Sequence, residues 1–268
     1  MNFEEQKLIY DKSMPKGEDF IKWVFSKDSQ KEEITSKIYM EDSDFQSNET
    51  YKVISEFFQV IYKVSTCGYG CKGGPHVIEY IAGRGYNLGL SSLKLIRIGF
   101  YDEALSLIRN ISEIVNLFAL FAINPVSLSE WYDMTEKERM REFSPFKVRQ
   151  KLEETNLQTP VSKEYYSKLC EVGVHFNPST KPQGKNHIDR ALVGSIVFKE
   201  QAIAILNDLA NNLCWLAIMS LRNSVDKGDF IRELDVLEPL FEKIGELSLE
   251  SLDEYLNKKK QAGSDETW

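Results

Sequence analysis

The sequence predicts an all-α fold, a helical bundle of long antiparallel helix hairpins with peripheral N-terminal helices. Two observations carry that expectation. Apolar residues recur at helical spacing along most of the 268 residues, while alternating runs flanked by hairpin turns are nearly absent. Helix start and stop signals also follow one another at helical lengths, and with 42% hydrophobic residues the chain has ample material to bury a core.

Taken in order, residues 1–48 form a peripheral helical segment, 49–228 the core bundle, and 229–268 a C-terminal helical extension with a frayed tail. The first segment has thin apolar content, so two short amphipathic pieces, Phe3 to Tyr10 and Asp19 to Phe25, are expected to pack on the outside of the body. The stretch 41-EDSDFQSNET-50 reads as a polar linker. A first core helix runs from about Thr50 to Val64 and stops at the glycine-rich 67-CGYGCKGGP-75. Pro75 then starts a helix that ends at Gly99, because a proline in the first turn loses no hydrogen bond. Asp102 is placed to cap the next helix, which reaches Ile123 before Asn124-Pro125 breaks it. Two long helices joined by a tight glycine turn make an antiparallel hairpin. The turn 99-GFYDEAL-105 matches part of a tetratricopeptide repeat, but no second copy follows, so it reads as a lone hairpin.

Beyond the hairpin, Thr135-x-x-Glu138 reads as a capping box, Ser144-Pro145 starts a short helix, and Ser162 caps another that ends before the loop 176-FNPSTKPQGKN-186. A helix from Ala191 to Val225 fills most of the remainder. Asp229 opens the C-terminal region, bent or broken at Pro239.

Charge narrows the function. The formal charge is -8, which argues against a general affinity for nucleic-acid phosphates, since that binding rests on Lys and Arg displacing counterions. Acids dominate the ends, 12 against 7 bases in residues 1–50 and 11 against 5 in residues 229–268, and leave a mildly basic middle. The first residues, MNFEEQKLIYDK, lack the basic and then apolar pattern of an export signal, and the longest wholly apolar run, 117-LFALFAI-123, is far shorter than the roughly 20 residues that span a bilayer. A soluble cytoplasmic chain with no membrane partner is expected, and its four cysteines should be reduced thiols.

One helix stands out chemically. On 101-YDEALSLIRNISEIVNLFALF-121, Arg109, Glu113 and Asn116 form a narrow polar stripe on an otherwise apolar surface. Such a stripe is either a solvated ion pair or an arginine held by a carboxylate and facing a cleft, as an anion-binding fork would be. Tyr86 and Asn87 adjoin a seam of small residues, Gly85, Gly89 and Ser92, on the preceding helix, and are candidate binding groups across a close helix contact. His175 closes the helix containing Tyr165, Tyr166 and Cys170, where it is either a helix-terminal cap or a titrating partner for the stripe. Lys185 and Arg190, in the loop after it, are candidate anion contacts. With Arg109, Glu113 and His175 the chain would hold the parts of general acid–base chemistry. The spacing Cys67-x3-Cys71-x4-His76 lacks the second half of a structural zinc site, so that stretch reads as a turn with no metal, and no phosphate loop, nucleophile elbow or dinucleotide fingerprint implies a cofactor.

The stretches 101-YDEALSLIRNISEIVNLF-118 and 165-YYSKLCEVGVHFNPS-179, about a third of the chain, resemble bacterial all-helical proteins near the HEPN-like domains of toxin and phage-defence systems. The resemblance implies a place in phage defence or a stress response, and as one alternative a metal-independent ribonuclease, with Arg109 on phosphate, His175 as acid or base and RNA as the partner. The family's signature is an arginine, a polar residue and then a histidine on one helix. Arg109-Asn110 and Arg222-Asn223 each make the start, and neither is followed by the histidine. A non-catalytic interaction scaffold with a protein partner is the other alternative, and homo-oligomerisation is open in either case.

Overall fold

A computed structural model describes residues 15, 17, 19–41, 47–70, 74–155, 159–174, 194, 196–226 and 228–240, with no side-chain description for 38–41 and 47–49. It is an all-α bundle, and among the described residues no strand occurs. In chain order the helices are α1 (Asp19–Glu41), α2 (Ser47–Ser65), α3 (Val77–Ile98), α4 (Tyr101–Ile123), α5 (Val126–Asp133), α6 (Glu136–Glu142), α7 (Pro145–Glu153), α8 (Lys163–Gly173) and α9 (Lys199–Ser224), followed by helical residues 228–240.

Helices α2, α3, α4 and α9 make the central bundle, with α4 and α9 packed most extensively against each other and against the rest. Helix α1 lies on α3 and α2, while α7 and α8 cover α4 from another side. Helix α9 is apolar around most of its circumference because it is enclosed on nearly all faces, with Leu209, Leu213, Leu216 and Ala217 fully buried. Helices α4 and α9 are long and apolar enough to cross a membrane by length and composition, which the short run 117–123 did not foretell; half of the apolar stretch in α4 and 72% of that in α9 is buried inside the bundle.

The α3–α4 hairpin turns where expected. Gly99 adopts φ 83°, its N–H donates to Ile96 and that of Phe100 to Leu95, so the last carbonyls of α3 are satisfied by a Schellman closure. A Cβ on Gly99 would overlap the backbone of Ile196, so glycine answers both the conformation and the close approach. Gly85 and Gly89 let α3 approach α9: a Cβ at either would press on Leu216 or Leu213. Ser92, fully buried, donates to the Ala104 carbonyl across the hairpin.

Several boundaries differ from expectation, each for a physical reason. Helix α1 is one 23-residue helix rather than a short piece ending at Phe25; Lys22–Asp19 and Lys37–Glu33 pairs line its polar face, and Arg97 of α3 reaches Glu32 at 3.0 Å. Residues 47–50 of the expected linker already belong to α2. Pro75 does not begin α3, because His76 is left-handed at φ 50° and helical geometry starts only at Val77. Asp102 is no cap; it lies in the first turn of α4, whose N-cap is Phe100. The expected helix from Ala191 starts eight residues later, since Ile196, Val197 and Phe198 are not helical. Ile196 donates to Gly99, and the Tyr101 hydroxyl bonds both backbone groups of Phe198. Helix α5 had no sequence signal strong enough to announce it. The residues after α9 are capped by Asp226, which accepts from the Asp229 N–H, rather than opened by Asp229, and the helical run continues past Pro239 to 240. The capping box of α6 and the Ser162 cap of α8 are both made. The first amphipathic piece, Phe3 to Tyr10, and the tail 261–268 lie outside the described residues.

Candidate functional site

The polar stripe of α4 faces α8. Position 109 and position 113 stand one helical turn apart, and the Arg109 Nη2 lies 2.7 Å from Glu113 Oε1, with 23% and 28% of the two side chains exposed. From α8, which Ser162 starts by accepting from the Tyr165 N–H, Tyr166 places its hydroxyl between them. That hydroxyl donates to Glu113 Oε1 at 2.6 Å and accepts from Arg109 Nη2 at 2.5 Å, closing a three-membered ring of arginine, carboxylate and phenol. Arg109 Nε donates to Cys170 Sγ at 3.2 Å, and its Nη1 donates to Asn110 Oδ1 at 3.2 Å. All three guanidinium nitrogens are thus engaged by this chain's own side chains.

The electrostatics agree with a closed arrangement. Burial pushes the Tyr166 hydroxyl well above the ordinary tyrosine range, and its hydrogen bond to Glu113 pushes in the same direction, so it remains a donor. Burial opposes the charge on Arg109, but the hydrogen bond to Cys170 and the Glu113 carboxylate outweigh it and hold the guanidinium more firmly protonated. Arg149 of α7 stacks over the Tyr166 ring at 4.5 Å from its centroid. Between Glu113, Asn116, Pro145, Val148, Arg149 and Tyr166 there is a recess with room for about one water molecule.

A second polar cluster lies deeper, and nothing in the sequence pattern announced it. Tyr165, next to Tyr166 but turned inward, donates to Asp208 Oδ1 of α9 at 3.2 Å and accepts from Asn212 Nδ2 at 2.8 Å; Ser112 of α4 donates to Asn212 Oδ1 at 2.6 Å. Asp208, Asn212 and Ser112 are at most 1% exposed. Burial and the Asp208 carboxylate raise the Tyr165 pKa well above its ordinary value. Further along α9, Asn207 Oδ1 accepts from Thr50 of α2. These bonds tie α4, α8 and α9 together in one register, as a buried polar group does in a coiled coil.

Each expected site residue has a definite place except three. Arg109, Glu113 and Asn116 are together, but Asn116 is 4% exposed and bonds both backbone groups of Val161, which fixes the approach to α8. Tyr86 is not part of this cluster; it packs edge-on against Phe58 and beside Tyr62. Asn87 is exposed on α3 and reaches no group of the facing helix that is described. His175, Lys185 and Arg190 lie outside the described residues. The second Arg-Asn pair is also structural: Asn223 donates to the carbonyls of Phe118 and Met219, and Arg222 covers the Phe230 ring.

No family model, no curated protein and no solved structure matches this chain. The chemistry of the site must therefore speak for itself. An arginine whose three nitrogens are each bonded within the chain, beside a recess the size of a water, ties two helices together.

Proposed function

We propose that this protein works by binding a partner protein rather than by catalysis, as a soluble cytoplasmic helical scaffold; its setting in phage defence or a stress response rests on the resemblance to HEPN-like proteins alone. One observation carries the reading. Among the described residues, five of the twelve exposed large apolar side chains, Ile123, Val126, Tyr132, Met140 and Phe146, fall in a single stretch of 24 residues that runs from the end of α4 through α5 and α6 into α7. The stretch is also fastened in shape. Arg139 donates to the carbonyls of Trp131 and Met134 and lies over the Trp131 ring, which in turn packs edge-on against Phe121 of α4. A surface held this way loses little conformational freedom on binding. With five acids against three bases over residues 123–146, it suits another protein better than RNA.

The test is a photo-crosslinking residue placed at Met140, with one at the exposed Asn87 as reference. The reading predicts a discrete protein adduct from position 140 in cells and none from position 87. Ribonuclease action is the competing outcome: cleavage of RNA by the pure protein, lost in a folded Arg109→Ala variant, would overturn the scaffold.

A further inference from the structure

We propose that Cys67, His76 and Glu79 form a zinc site with three protein ligands and one position open to water. Their donor atoms all lie within 4.8 Å of one another, at the junction between the end of α2 and the start of α3. Cys67 Sγ is 3.6 Å from His76 Nδ1, and Glu79 Oε1 is 3.7 Å from the same nitrogen. Zinc bonds of about 2.3 Å to sulfur and about 2.0–2.2 Å to nitrogen and oxygen, at tetrahedral angles, require donor–donor edges of roughly 3.4–3.6 Å. Two of the three edges, those that meet at His76 Nδ1, already approximate these lengths, and the Cys67–Glu79 edge lies within 4.8 Å.

The arrangement distinguishes a cation from a proton relay. In a thiol–imidazole–carboxylate relay the carboxylate and the thiol take opposite ring nitrogens, so that one fixes the tautomer while the other exchanges a proton. Here both converge on Nδ1, which can serve only one of them by a hydrogen bond at a time. A metal ion at the centre uses all three lone pairs at once.

The backbone favours the same reading. Among the described residues, Cys67 at φ 55° and His76 at φ 50° are the non-glycine residues in the left-handed region, and both are proposed ligands. Cys67 holds the place that Gly99 holds after α3: its N–H donates to Val64, and that of Gly68 to Lys63, which is the same Schellman closure. Glycine is the usual occupant there, and a cysteine carries a steric penalty for the sake of its side chain. His76 is likewise left-handed, at the N-cap of α3, and Glu79 follows one turn later, so the helix itself sets the carboxylate beside the imidazole. All three side chains are partly exposed, which allows the ion to enter.

The site is independent of partner binding through 123–146. It is tested on the full-length protein, stripped with a chelator and titrated with cobalt(II) and then zinc. The expected result is one cobalt per chain, with a thiolate-to-cobalt charge-transfer band and the intense visible absorption of tetrahedral cobalt, both displaced by zinc. Cys67→Ser should remove the charge-transfer band, and His76→Ala and Glu79→Gln should each weaken zinc by more than the roughly 10–100-fold that loss of an outer partner costs. Far-UV circular dichroism of each variant separates lost ligation from lost folding. Absence of the band in the wild-type protein, or a band that survives Cys67→Ser but vanishes in Cys71→Ser, would overturn the assignment.

Discussion

At the scale of single residues, what decides the fate of Arg109 is how many of its donors the fold consumes. Its bonds to Tyr166 and Cys170 join it to α8, and those to Glu113 and Asn110 hold it on α4. Glu113→Gln keeps the shape and removes the charge that faces the guanidinium, so it should cost about 1–3 kcal/mol in urea unfolding, as loss of a charge-assisted hydrogen bond does. A surface ion pair would lose at most about 1 kcal/mol. The tyrosines supply a second expectation. Burial holds the hydroxyls of Tyr101, Tyr165 and Tyr166 above their ordinary 10.0, and pushes the Cys214 thiol from 9.0 up to about 12. Each group binds its proton more tightly folded than unfolded. Their contribution is therefore complete below about pH 9, begins to be lost at the unfolded values of 9.0 and 10.0, and goes on being lost as pH rises to the folded values, about 12 for Cys214. Urea midpoints should therefore hold from pH 8 to about pH 9 and fall from there to pH 11, and a flat profile over the whole range would mean these groups are more exposed than described.

At the scale of elements, glycines separate two kinds of close approach. Gly99→Ala places a side chain at positive φ against the Ile196 backbone, which cannot yield, and should cost on the order of 1–3 kcal/mol. Gly85→Ala meets the flexible end of Leu216, and its gain of nearly 1 kcal/mol in helix propensity offsets much of the crowding. Urea unfolding of the two variants should rank Gly99→Ala clearly lower. Elements were legible where punctuation is chemical. Gly99, Asn124-Pro125, the Thr135–Glu138 box, Ser144-Pro145 and Ser162 all mark real boundaries, because each residue acts on its own neighbours. They failed where tertiary contacts decide. Nothing local distinguishes the non-helical 196–198 from the helix after it; the pairing of Ile196 with Gly99 and of Phe198 with Tyr101 does that. Helix α1 was too polar to read at full length, since its partners lie on α3.

At the scale of the molecule, the all-α bundle was plain from periodicity, whereas the sequence left the α4 stripe open between a solvated pair and a cleft, and the Arg109 and Glu113 side chains prove partly buried. What faces the stripe was not plain. Tyr166 and Cys170 stand more than fifty residues away in sequence, and the inward Tyr165–Asp208–Asn212 seam reads in the sequence as ordinary polar interruptions of apolar helices. A metal at Cys67-x3-Cys71-x4-His76 was set aside for a related reason: the sequence shows no further ligand beside them, and Glu79 joins Cys67 and His76 only once α3 begins after His76. The central claim is that Arg109 and Tyr166 lock α4 to α8. A double-mutant cycle of Arg109→Met and Tyr166→Phe in urea tests it most directly. The expected coupling is about 1–2 kcal/mol, within the span seen for residues sharing one hydrogen-bond network. Effects that add to within about 0.5 kcal/mol would contradict it, since that is how independent sites behave.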